Sequence, residues 1–361
     1  MLSDKRVLVI AEAGVNHNGS LDLAKQLIEA AVDAGADAVK FQTFNASALA
    51  TGDAKKADYQ KVTSGANESQ FEMLKRLELT TEAHHQLVGH CKKHGIHFLS
   101  TPFDLDSIDL LVSVLDVSLL KISSGDITNA PLLHKSAKTQ KPIIISTGMS
   151  TLADVECALG VLAHGYVCHG QKPCEDAFRA AFASSAGQQA LSEKVTLLHC
   201  TTEYPAPFDA VNLRAMETLS AAFGLRVGFS DHTAGVAVPI AAVARGAAVI
   251  EKHFTLDKNL PGPDHRASLE PAELKVMITA VRQVELALGT GRKFPAACEM
   301  ANMAVARKSL VSACPIKAGE LFTENNLTVK RPGTGVLPLH YWDMLGTAAK
   351  RNFAADEVIE A

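Results

Sequence analysis

No two cysteines in this chain are spaced as Cys-X-X-Cys, and the seven present (Cys91, Cys157, Cys168, Cys174, Cys200, Cys298 and Cys314) are odd in number. That pattern argues against a disulfide framework and a zinc knuckle, and predicts reduced thiols in a cytoplasmic enzyme. Long apolar runs are missing too. The early run Val7–Ala11 is broken by Glu12, too short for a signal-peptide core and far short of a membrane span. Nor does one charge dominate: 35 basic against 39 acidic residues leave a formal net charge of −4. Electrostatics therefore makes no case for nucleic acid or an anionic membrane as partner. An anionic substrate must be held by a few local cations. Low-complexity segments are absent.

What recurs is a short apolar run that ends in reactive side chains and is followed by a helical stretch. The runs are Val7–Ile10 before Glu12, Ala38–Phe41 with Lys40 and Gln42, His97–Leu99 before Ser100 and Thr101, and Leu119–Ile122 before Ser123 and Ser124. Four more follow: Pro142–Ile145 before Ser146, Val195–Leu198 before His199, Arg226–Phe229 before Ser230, Asp231 and His232, and Ala248–Ile250 before Glu251 and His253. Eight β-then-α units predict a (β/α)8 TIM barrel, whose active site is built from the C-terminal strand ends. A barrel alone takes about 250 residues, and this chain has 361.

Helices read clearly at Leu21–Val32, capped by Ser20, and after Pro271. Gly35, Gly95 and Gly246 stand where left-handed C-terminal caps are expected. A polar excursion runs from Asn45 to about Thr80, and residues 165–193 lengthen the fifth unit with a helical Asp176–Ala183. Such additions decorate the surface or, near strand C-termini, become lids. The organisation predicted is a catalytic barrel over 1–290, a linker over 291–300, and a small β-rich domain over 301–361, with strands near Arg307–Ala313 and Leu327–Lys330.

Three constellations carry chemistry. His232 and His253 close consecutive strands, and two imidazoles at matched strand ends suit an open divalent-metal site; hydrogen-bonded core histidines are the plainer alternative. His199, one strand earlier, reads as structural. Lys40 and Lys121 sit inside apolar strands, where an unpaired ammonium is costly. An anion would satisfy both, as would an internal salt bridge or a Schiff-base role. Thr101, Ser123, Ser124, Ser230 and Gln42 offer further donors to a phosphate. Glu12 and Asp126 could move protons, or could pair with the lysines.

Together these segments resemble the sialic acid synthase family, the NeuB-type enzymes that condense phosphoenolpyruvate with an N-acylated amino sugar. The matching stretches are Ala11–Ser20, Val39–Thr43, Ser100–Phe103, Lys121–Asp126, Ser146–Met149, Leu198–Thr201 with Tyr204-Pro205, Ser230–Thr233, Glu251–Thr255 and Pro261–Asp264. The tail from Arg307, with Val329–Gly333, resembles that family's SAF or antifreeze-like module. The resemblance implies that His232 and His253 bind a divalent metal, usually Mn²⁺, with Mg²⁺ or Co²⁺ as alternatives. It implies that Lys40, Gln42, Lys121, Ser124 and Ser230 hold phosphoenolpyruvate, with Thr101 and Phe103 lining its pocket. Tyr204, Asp264 and Arg331 would contact the sugar, while Glu12 and Asp126 shuttle protons. It further implies a homodimer in which Arg331 serves the partner's barrel. Asp126 and Thr202 depart from one bacterial form of the pattern, which carries Glu and Asn there.

The activity expected from this resemblance is N-acetylneuraminate synthesis from N-acetylmannosamine. A legionaminic or pseudaminic acid synthase, acting on a diacetamido-trideoxyhexose, is the nearest alternative. A non-catalytic carbohydrate-binding protein is the alternative from another class, and it gives no reason for paired histidines or strand-buried lysines.

Overall fold

The computed structural model describes residues 6–52, 54, 56, 69–168 and 170–360. Part of the polar excursion read from the sequence, at 53, 55 and 57–68, lies outside the described residues. Eight parallel strands form one sheet: β1 (Leu8–Gly14), β2 (Ala38–Thr43), β3 (His97–Pro102), β4 (Leu120–Ile122), β5 (Ile143–Ser146), β6 (Val195–Cys200), β7 (Arg226–Asp231) and β8 (Val249–His253). Their order is β3-β2-β1-β8-β7-β6-β5-β4. First and last strands pair, and β3 and β4 lie side by side across the remaining seam. This is the expected barrel.

Several strands outrun their predicted ends. β1 reaches Gly14 rather than Ile10, and β8 reaches His253 rather than Ile250. A polar side chain that points inward does not itself end the ladder, although the β1–β2 register shifts between Glu12 and Gly14. Glu12 keeps register with Lys40 on one side and His253 on the other.

A strand alternates faces every residue, so inward residues fall into layers two positions apart. The floor layer is Ile10, Ala38, Leu99, Leu119, Ile144, Leu198, Gly228 and Val249; its side chains form one apolar cluster. At Gly228 a Cβ would lie 2.5 Å from the Val249 carbonyl oxygen and 2.7 Å from Leu198, so only glycine fits there. Outward residues such as Val9, Phe41, Leu120, Ile145 and Phe229 join the larger core under the helices.

Helix α1 (Leu21–Ala34) starts as predicted, with Ser20 Oγ accepting from the Leu23 amide, and ends at Gly35 with φ 85°. Among the described residues, the excursion contains two helices that the sequence pattern does not reveal, α2 (Ala46–Leu49) and α3 (Gln70–Leu77). A Ser69–Glu72 capping box starts α3, which buries Met73 and Leu77. Helix α4 (Thr81–His94) follows and ends at Gly95. The insertion in the fifth unit forms helices Glu175–Ala183 and Ser185–Lys194, whose Ala181 and Leu191 join the main core. It thickens the outer wall.

The chain divides into two compact units, Met1–Gly289 and Thr290–Ala361. In the second, residues read as linker and domain start form a helix, Met300–Ala306. An antiparallel pair follows, β9 (Ser309–Ser312) and β10 (Leu327–Lys330), over a core that includes Leu310, Ile316, Phe322 and Phe353. Among the described residues, no helix is long and apolar enough to cross a membrane.

Candidate active site

Two residues above the floor, the inward layer becomes Glu12, Lys40, Thr101, Lys121, Ser146, Cys200, Ser230 and Glu251. All are buried. Lys40 Nζ lies 2.7 Å from Glu12 Oε2 and donates to Thr101 Oγ1 at 2.9 Å. Lys121 Nζ donates to Ser146 Oγ at 2.7 Å and stands 3.4 Å from Glu251 Oε1. Glu251 also lies 3.7 Å from Lys40 and accepts from Ser230 Oγ at 2.8 Å. Of the readings open for the lysines, an internal ion pair is present at both. Two ammonium groups and two carboxylates balance one another, which is how a closed barrel tolerates four buried charges.

Their titration is divided by environment. Burial pushes Glu12 up to about 7, against the pull of Lys40. Burial acts on Glu251 in the same direction, but Lys121 and Lys40 outweigh it and bring Glu251 to about 2. Glu12 can therefore gain or lose a proton near neutrality, while Glu251 stays ionised.

The next layer up holds the histidines. The rings of His232 and His253 are 5.6 Å apart, and Tyr204 packs on both, at 4.2 and 5.6 Å. His232 Nδ1 donates to the Thr201 carbonyl at 2.6 Å, which leaves the lone pair on Nε2. His253 Nδ1 is shielded and has no hydrogen-bond partner among the described residues. Burial drives both rings below the ordinary histidine range, so both are neutral donors near pH 7. Neutral imidazoles with free nitrogens fit a divalent cation. Gly14 belongs to this layer with φ 53°; a Cβ there would lie 3.2 Å from Glu12 Oε1 and 3.6 Å from His253. Behind the histidines, Lys252 and Asp231 point the opposite way and pair in full burial, with Lys252 also donating to the Thr233 carbonyl.

A cavity of about 400 Å³ opens above these layers. Glu12, Lys40, Gln42, Thr101, Phe103, Lys121, Ser124, Tyr204, Ser230, His232, His253 and Asp264, all predicted site residues, line it together. Burial raises Asp264 to about 6. Two predicted residues are placed elsewhere. Asp126 is not among the lining residues: it follows β4 in a tight turn and accepts from Ser123 Oγ and Asn129 Nδ2. Arg331 lies in the second unit, where its Nε donates to the Ala306 carbonyl. His199 Nε2 donates to the Val211 carbonyl at 2.7 Å. The sequence reading assigned no role to Glu251, Ser146, Thr202 or the apolar wall of Leu49, Met73, Leu74 and Leu77, which closes one side of the cavity. A larger concavity, about 830 Å³, opens at the strand starts near Arg226 and Ala248. It holds none of the site's lysines or histidines, and barrel chemistry belongs at the other end.

Known proteins are similar to this chain along most of its length. An N,N'-diacetyllegionaminic acid synthase of Campylobacter jejuni is 52% identical over 98% of this chain and 99% of its own. The enzyme of that name from Legionella pneumophila is 44% identical over 98% of this chain and 93% of its own. Among solved structures, an N-acetylneuraminic acid synthetase from Leptospira borgpetersenii, in complex with citrate, superposes with TM-score 0.66 at 32% identity, covering 83% of this chain and 91% of that one. Residues 307–361 match the SAF domain. Residues 27–293 match the NeuB family, and the chain belongs to that family of sugar-acid synthases.

Proposed function

We propose that the protein condenses phosphoenolpyruvate with a diacetamido-trideoxyhexose to give N,N'-diacetyllegionaminate and phosphate. This replaces N-acetylmannosamine, the acceptor expected first from the sequence. The observation that carries the choice is the higher identity to the two legionaminic acid synthases, 52% and 44%, than to the sialic acid synthetase, 32%. The cavity supports it. Leu49, Met73, Leu74 and Leu77 offer an apolar wall, which suits an acetamido methyl and a carbon without oxygen better than two hydroxyls. A non-catalytic role leaves the buried charge cluster without purpose.

Lys40 and Lys121 would hold the phosphate and carboxylate of phosphoenolpyruvate, with Ser124, Ser230, Thr101 and Gln42 as neutral donors. Held between His232 and His253, a divalent cation, Mn²⁺ in the first instance and Mg²⁺ or Co²⁺ as alternatives, would supply Lewis-acid polarisation of the sugar carbonyl. In the reaction, C3 of phosphoenolpyruvate bonds to the aldehyde carbon, water adds at C2, and the C2–O bond to phosphate breaks. Glu12, raised by burial to about 7, would give a proton to the sugar oxygen or take one from the entering water. Both lysines stabilise negative charge as it moves onto the leaving phosphate. Asp264 and Tyr204 would orient the sugar. Within the same proposal, Arg331 from a second copy contacts the acyl group in a homodimer.

The test is phosphate release from phosphoenolpyruvate and Mn²⁺ with a panel of sugars. The diacetamido-trideoxyhexose should exceed N-acetylmannosamine in kcat/KM by about tenfold or more. Preference for N-acetylmannosamine would return the reading to N-acetylneuraminate synthesis. Release with no sugar in the panel would remove the synthase assignment.

A further inference from the structure

Away from the cavity, α1 and α4 run side by side on the outside of the barrel and share polar rungs. Lys25 Nζ donates to Gln86 Oε1 at 3.0 Å. Four residues further along both helices, His90 Nε2 meets Glu29 Oε1 at 2.9 Å. One turn beyond His90 comes His94, whose ring centroid is 4.5 Å from that of His90. Glu29, His90 and His94 each offer one ligand atom, and these atoms all lie within 4.8 Å of one another.

A surface hydrogen bond beside two rings tilted by 37° accounts for Glu29 and His90 but not for His94. His94 Nε2 is shielded from solvent and has no hydrogen-bond partner among the described residues. A polar atom left so is unfavourable by the desolvation it has undergone. A cation would satisfy it. Two histidines at i and i+4 share one helix face, the spacing that places two imidazoles on one zinc ion. In a tetrahedral site with bonds of about 2.05 Å, ligand atoms are roughly 3.3 Å apart, so small side-chain rotations suffice to close this group. Imidazoles and a carboxylate, with no thiolate, select Zn²⁺, Ni²⁺ or Cu²⁺ over Mg²⁺ or Ca²⁺. Glu29 is 49% exposed and His90 16%, so water can complete the shell.

We propose that Glu29, His90 and His94 form a transition-metal site that fastens α1 to α4, separate from the cavity and independent of the reaction proposed above. An ion bound only by the folded chain stabilises it by mass action.

The test uses Zn²⁺ alone, without phosphoenolpyruvate or sugar. Competition against a chromophoric chelator and thermal melting are measured on the full chain carrying His232→Ala and His253→Ala, which removes the cavity pair. One Zn²⁺ should bind and raise Tm. Adding His94→Gln or Glu29→Gln should weaken binding tenfold or more and abolish the rise. Glu29→Gln preserves shape at an exposed position, so it also serves in the otherwise unaltered protein, where Zn²⁺ stoichiometry should drop by one while turnover stays unchanged. Zinc binding that these substitutions leave untouched, or no binding once the cavity pair is gone, overturns the proposal.

Discussion

The floor layer and the layer two residues above it belong to the same eight βα units and point the same way, yet one is hydrocarbon and half of the other is charged. Ile10 becomes Glu12, Ala38 becomes Lys40, Leu119 becomes Lys121 and Val249 becomes Glu251. Backbone geometry is shared, so the difference comes from side chains alone. The floor gains stability by removing apolar area from water. The upper layer gives up that gain and offsets desolvation only by pairing its charges with one another. The barrel thus confines its unstable chemistry to a tier with a firm base.

Breaking the layers above the floor should cost activity first. His253→Ala should reduce turnover by about three orders of magnitude or more while the melting curve stays cooperative; near-normal rates after chelation of divalent metal would contradict the metal role. Next, Lys121→Met should lower kcat/KM for phosphoenolpyruvate by about 10²–10³ and destabilise the fold, because Glu251 loses the nearer of its two ammonium partners. The double variant Lys121→Met/Glu251→Gln should stay inactive yet melt at or above the starting protein, since a buried ion pair is often neutral or unfavourable for stability. A double variant less stable than Lys121→Met would show that this tier also supports the fold.

In the floor, Ile144→Ala should cost about 2–5 kcal/mol in denaturant unfolding with kcat per folded molecule within about twofold. A larger loss of kcat would mean that the tiers are mechanically coupled. The smallest effect concerns Asp264. Its pKa is raised by burial from 3.8 to about 6 in the folded chain, so ionising it penalises the native state. That penalty is absent below 3.8, grows through the window up to about 6, and is complete above it. Asp264→Asn should therefore gain up to about 3 kcal/mol above pH 7, lose that advantage as pH falls toward 4, and raise KM for the sugar. A gain that persists at pH 4 would show another cause.

Much of this tier was legible because a strand announces its inward face every second residue. Glu12, Lys40, Thr101, Lys121, Ser230, His232 and His253 all meet where strand ends placed them. Glu251 stands two positions before His253, so the same rule points to it; its roles as partner of both lysines needed three strands to be brought together. Asp126 falls outside the cavity lining because β4 ends at Ile122 and the following turn breaks the alternation. The apolar wall was illegible for a different reason. Met73 and Leu74 sit in α3, inside what reads as polar chain, and join Val15, Phe44 and Phe103 only through tertiary folding.

The ion pair of Asp231 and Lys252 has one more consequence. Each partner is the immediate neighbour of a site histidine and faces away from it, so the pair pins both strand ends from behind. Spacing of the two rings is thereby fixed before any ligand arrives, and the entropy of aiming them has been spent during folding. For the divalent cation proposed above, rigid spacing of this kind would make the protein, rather than the ion, the arbiter of which coordination shell forms.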